Sequence, residues 1–208
     1  MNAAVRRVRP TRLVPVPPVD LRLLAAPLDF LEAEHYRQRI VLDNLDVLAD
    51  GVDAPAAAEL AAGALRYMRE DLRLHVADEE RDLFPLLRRR AEPGDDIEFI
   101  LALLASEHMR DHELSTAVVA VLERGQSGAT RGAKRDAPSL KAVVPAFAET
   151  QRRHLAWENA LIIPRARHLL KQADLVRLGR SMAKRRGLRV PGTRFTERLA
   201  RLINLDTA

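Results

Sequence analysis

Two stretches decide how this chain folds: HVADEERDLFP at residues 75–85 and HLAWENALIIP at residues 154–164. Each sets a histidine four residues before a glutamate, His75 with Glu79 and His154 with Glu158. Each also reaches a proline ten residues after its histidine, Pro85 and Pro164. Apolar residues recur around both pairs at helical spacing. On a helix, positions i and i+4 differ by about 40° in direction and ~6 Å along the axis. Each pair therefore points to one side, one turn apart, on the stripe that the apolar residues mark.

Working outward, the stripe of the first stretch reads Leu65, Met68, Leu72, His75, Glu79, Leu83, Leu86, on a helix from just after Asp53 to about Ala91 that ends at Pro93-Gly94. The second reads Val144, Phe147, Gln151, His154, Glu158, Leu161, on a helix from about Ser139 to Leu170. Two more patterns precede them. Leu28, Leu31, His35, Leu42 and Leu45 mark a helix from Pro27 to about Ala49, stopped by Asp50-Gly51. Leu101, Leu104, His108, His112, Val119 and Leu122 mark another from about Asp96 to Arg124. Pro85, Pro145 and Pro164 fall inside helical patterns and are expected to bend or interrupt them.

The pattern also repeats. AEHYR (33–37) is echoed by SEHMR (106–110), and HVADE (75–79) by HLAWE (154–158), so each half reads as the same helical hairpin. The predicted fold is all-α, an up-down-up-down four-helix bundle over residues 26–170. An irregular N-terminal arm (1–25) precedes it, and a short extra helix with a basic C-terminal tail (171–208) follows. The tail carries an apolar stripe of Phe195, Leu199 and Leu202, and the loop GQSGATRGAKRDAPS (125–139) is expected to be the most mobile segment.

Composition bounds the chemistry. With 208 residues, 47% apolar and 30% charged, the chain suits one globular domain with extensions. It has no cysteine, which excludes disulfides and thiolate clusters and leaves His and carboxylate as the only strong metal ligands. The N-terminus lacks the apolar core of a secretory signal, and no apolar run approaches the ~20 residues of a membrane span. A cytoplasmic location without membrane contact is the expectation. The formal charge of +5 belongs to the ends. Short Arg-rich tails are ordinarily solvated, so nucleic-acid binding is not expected, while a homodimer through these ends is left open.

Seven ionisable side chains thus lie on inward stripes: His35, His75, Glu79, His108, His112, His154 and Glu158. Burying an uncompensated carboxylate costs several kcal/mol, and a bundle gains nothing from two of them. A cationic centre that both carboxylates reach removes the objection. Imidazole and carboxylate without thiolate suit iron or manganese, with zinc also admitted. The number of ligands is about right for two ions ~3.5–4 Å apart. Any one of these residues alone is more often a core histidine or a surface pair; five of six histidines on inward stripes, two with the same i+4 glutamate, shift the balance. His168 falls outside the pattern and reads as a surface residue.

The order His, His-x-x-x-Glu, His-x-x-x-His, His-x-x-x-Glu on four helices resembles the hemerythrin family, in its bacterial branch of hemerythrin-like HHE cation-binding domains. The resemblance spans about residues 26–170. It implies a non-haem site of two Fe ions, with His108, His112 and His154 on one and His35 and His75 on the other. Glu79 and Glu158 would bridge them together with an oxo or hydroxo group. Arg39 is the counterpart of His112 in the first half, so the second ion would keep an open position for O2, peroxide, nitric oxide or azide. Where animal hemerythrins have an aspartate five residues after the last histidine, this chain has Asn159, and Glu158 stands in its place.

The function this implies is binding of O2 or a related small molecule, for sensing, storage or defence against oxidative or nitrosative stress. An iron-responsive interaction module and a peroxide-decomposing enzyme are the alternatives. A ferritin-like oxidase would want Glu-x-x-His on two helices, and only Glu32–His35 has that spacing. Glu34 and Glu107, each one residue before a candidate ligand, read as helix-packing or surface residues. Tyr36 and Trp157 read as aromatic filling of the bundle.

Overall fold

The structure is a computed structural model that describes residues 14–51, 54–92, 94–126 and 138–188, together with Phe195 and Leu199. The first thirteen residues, most of the loop expected to be mobile, and Leu202 lie outside them. Among the described residues every regular element is helical.

Helix α1 spans Pro27–Asp50, with proline in its first turn and Gly51 closing it at φ +91°, a conformation that favours glycine. The second long helix is built from α2 (Ala54–Arg69), α3 (Asp71–Asp78), a π turn at Glu79–Leu83 and α4 (Phe84–Arg90). Helix α5 is uninterrupted over Ile97–Gln126. The fourth long helix repeats the second: α6 (Leu140–Trp157), a π turn at Glu158–Ile162 and α7 (Ile163–Leu169). Helix α1 packs on α2 and α6, and α5 packs on the same two, so the four long helices close a square.

Both π turns have a cause in the sequence. Pro85 and Pro164 lack a backbone N–H, and their rings crowd the carbonyl four residues back. In each helix the turn before the proline widens, with Phe84 N–H bonded to Glu79 O and Ile163 N–H to Glu158 O. Pro145 stays inside α6 without such a break. The wider turn also moves the inward stripe. Ile162 is buried, while Leu161, expected on the stripe, is 39% exposed.

The apolar interior comes in two parts. One, at the α4 and α7 end, gathers Phe30, Leu31, Phe84, Leu87, Leu101 and Ile163. The other gathers Leu42, Leu45, Met68, Leu122, Val144 and Phe147. The candidate histidines and glutamates fall between the two.

Helix α8 (Gln172–Arg185) completes the first core from outside the square, through Leu178, Met182 and Ala183, joined by Phe195 and Leu199. The N-terminal segment, read as irregular through residue 25, ends in a 3-10 turn at Leu21–Ala25 that buries Leu24 under α8. Their contact leaves no room for a side chain at Gly179, where a Cβ would lie 2.2 Å from Leu24 O. Charge ties α8 down as well. Arg185 and Arg186 both pair with the fully buried Asp78, Arg185 reaches Asp82 at 2.6 Å, and Arg186 lies over the Phe30 ring.

Candidate metal centre

Six of the seven expected residues converge. They form two groups, His35, His75, Glu79, Glu158 and Glu79, His108, His154, Glu158, each with its ligand atoms within 4.8 Å of one another and every member buried. The two glutamates belong to both groups, and their oxygens divide between them. Glu79 Oε1 lies 3.7 Å from His35 Nε2 and 3.5 Å from His75 Nε2, while its Oε2 lies 3.4 Å from His108 Nε2. Glu158 does the same in mirror sense, with Oε2 at 3.4 Å from His35 Nε2 and Oε1 at 3.0 Å from His154 Nε2. Each carboxylate thus offers one oxygen to each histidine pair. Both glutamates open a π turn, so the widened backbone and the shared carboxylate coincide in both halves.

The family model for "Hemerythrin HHE cation binding domain" matches residues 26–166. The chain belongs to the hemerythrin HHE cation-binding family. A search of curated proteins finds no match to it.

The donor set of this HHE domain fits a cationic occupant. His35 Nε2, His75 Nε2 and all four glutamate oxygens are buried without a hydrogen-bond partner, a costly arrangement unless a cation satisfies them. Outer contacts set the imidazoles for the task. His108 Nδ1 donates to Glu80 Oε1 at 2.9 Å, and His154 Nδ1 to Glu107 Oε2 at 3.0 Å. His35 Nδ1 donates to Asn159 Oδ1 at 3.0 Å, and the Asn159 amide is itself oriented by donating to Leu155 O. With a proton fixed on Nδ1, each Nε2 faces the glutamates, and His108 Nε2 and His154 Nε2 lie 2.9 Å apart, so one of the two carries a proton when no cation lies there. His75 Nδ1 has no such partner.

Electrostatics agrees with a missing positive charge. Burial drives His75 down to about 3, so its imidazole is neutral, as a ligand must be. Burial works against protonation of His154 too, yet Glu158, Glu79 and Glu107 lift it to about 10. Burial and the neighbouring Glu79 carboxylate raise Glu158. A proton on His154 is what compensates the carboxylates when no metal does.

His112 does not join either group. Its side chain is exposed, and Asp111 takes the inward place. The reason is register: the buried positions of α5 run 97, 101, 104, 108, 111, 118, 122, with steps of four and three alternating up to 111, then a seven-residue step to 118 and four to 122. Two successive steps of four, from 104 to 108 to 112, drift off that seam. The same drift leaves Val118 buried in place of Val119. The structure groups two histidines with the glutamates on each side, and His112 lies apart from both groups.

Glu80 carries no mark in the sequence pattern and Glu107 reads there as packing or surface; in the structure each hydrogen-bonds an imidazole of the candidate set, Glu80 that of His108 and Glu107 that of His154. Glu34 is buried against Arg37, which also binds Asp71 and Pro17 O. Tyr36 and Trp157 do not fill the bundle, being 57% and 40% exposed. One position after His35 and one before Glu158, each lies about 100° from the inward stripe. His168 is exposed. A cavity of about 240 Å³ opens beside the centre, touching His75, His108 and His154, with exposed Arg73, Arg81 and His112 at its mouth. Among the described residues no helix is long and apolar enough to cross a membrane.

Proposed function

We propose that this hemerythrin HHE domain is a non-haem di-iron protein that binds O2 or a related small molecule, peroxide or nitric oxide, for sensing, storage or stress defence. The observation that carries this reading is the division of oxygens: Glu79 and Glu158 each give one oxygen to the His35–His75 pair and one to the His108–His154 pair. A single ion would leave half of that set unused.

In this reading His35, His75, Glu79, His108, His154 and Glu158 would hold the ions. Glu80, Glu107 and Asn159 fix imidazole tautomers, and the two apolar cores above and below keep bulk water from the layer. Bound iron would supply reversible electron transfer to a small ligand, and the cavity beside His75, His108 and His154 is the route to it. His112, at the mouth of that route, is placed to meet an arriving ligand.

The test is anaerobic reconstitution with ferrous iron, followed by metal analysis and absorption spectra through a cycle of air and dithionite. About two irons per chain, with near-ultraviolet bands that bleach and return, support the reading. One iron per chain, or none, sinks it. Loss of helicity on chelation would favour the iron-responsive module instead.

A further inference from the structure

One turn along α5 and α6 from His108 and His154, part of the cavity wall is polar and connected. Tyr67 O–H donates to Gln38 Oε1 at 3.4 Å, Gln38 Nε2 donates to Gln151 Oε1, and Gln151 Nε2 donates to Asp111 Oδ2 at 2.6 Å. Gln38, Gln151 and Asp111 all line the cavity. They are 3%, 3% and 5% exposed, so the wall is built into the bundle rather than laid on its surface. The chain of donors runs one way and ends on a carboxylate. Asp111 Oδ1 is left buried with no partner, and each glutamine amide keeps one N–H beyond the bond it makes.

Such a wall asks something of an occupant. A ligand with an O–H or N–H and a lone pair satisfies both the free carboxylate oxygen and the spare amide hydrogens. An aprotic diatomic satisfies neither acceptor nor geometry, and it leaves Asp111 Oδ1 unpaired after displacing any water there. A site built to hydrogen-bond a substrate discriminates strongly against an analogue lacking that group, because its own buried polar groups are stranded.

We propose that the Asp111–Gln151–Gln38 wall makes this centre selective for small protic ligands of the hydrogen peroxide class over aprotic diatomics. Asp111 and Gln151 act as specificity-determining residues. The inference rests on the di-iron reading and narrows it to one ligand class.

The experiment uses the full chain reconstituted anaerobically with ferrous iron. Stopped-flow absorption gives two second-order rate constants, one for oxidation of the ferrous protein by hydrogen peroxide and one for nitric oxide binding. Metal content and helicity are measured alongside. In Asp111→Leu and Gln151→Leu, the peroxide constant should fall about tenfold or more while the nitric oxide constant holds within about twofold or rises. Asp111→Asn, which keeps the shape, should fall in the same direction and serves if the leucine variant does not fold. A peroxide-to-nitric oxide ratio unchanged in variants that keep both irons overturns the inference and leaves the di-iron reading intact. A wild-type chain that takes up no iron overturns both, and the metal analysis separates the two failures.

Discussion

At the scale of single residues, the candidate centre has partners that lie outside the sequence pattern of histidines and glutamates. Glu107 holds His154 from outside, through the nitrogen that faces away from the glutamates. Removing such a partner typically weakens metal binding 10- to 100-fold, because the imidazole loses both its orientation and part of its basicity. Glu107→Ala should therefore lower metal affinity by about that factor with little loss of helicity, as read by competition with a chelator of known affinity. An unchanged affinity would mean that Glu107 serves Arg153, which it also contacts, and not the centre. The six residues that converge are legible in the sequence because histidine and glutamate on an apolar stripe are conspicuous. Glu107 and Glu80 are not, since a glutamate beside a ligand looks like any exposed acid until the facing helix is in place.

At the scale of elements, helical periodicity gave the extents of the four long helices closely, and it erred where the period itself changes. The π turn after Trp157 and the three-four seam of α5 each displace an inward position by one residue, hence Ile162 for Leu161 and Asp111 for His112, whereas across the π turn after Asp78 the expected Leu83 and Leu86 are both buried. Pro85 and Pro164 announced an interruption but not its kind. Helix α8 was legible as amphipathic, yet nothing in its pattern says which core it completes. Its seat is specific. Gly179→Ala, forced against Leu24 O, should cost about 1–3 kcal/mol in chemical unfolding. Arg186→Ala, which strips one of the two cations from the buried Asp78 and leaves Arg185 in place, should cost about 1.5–3 kcal/mol. Because Asp78 directly precedes Glu79, the second variant should also release metal faster; equal release from both at matched stability would show that α8 acts on stability alone.

At the scale of the whole molecule, a charged layer between two apolar cores makes the metal-free protein sensitive to pH in both directions. His75 sits at about 3 in the fold against an ordinary 6.5, so the unfolded chain takes up a proton that the fold excludes. That contribution to stability is lost as pH falls below about 6.5 toward 3. His154 sits at about 10, and its contribution, full below 6.5, is lost as pH rises through 10. The metal-free chain should therefore show its highest melting temperature near pH 6.5. Loading with metal should flatten the alkaline side, since a cation then stands in for the proton on His154. Melting curves from pH 4 to 10, with and without metal, check this, and a profile without an alkaline decline in the metal-free chain contradicts it.

The unequal outer partners of the imidazoles have an electronic consequence. Carboxylates stand behind His108 and His154, an amide stands behind His35, and His75 has no partner at all. An imidazole backed by a carboxylate is the stronger electron donor. Two ions held by matching ligands in the two halves would thus still differ in oxidation preference, with the higher valence favoured on the His108–His154 side. The symmetry of the side chains that would hold a cation therefore does not extend to their donor strength.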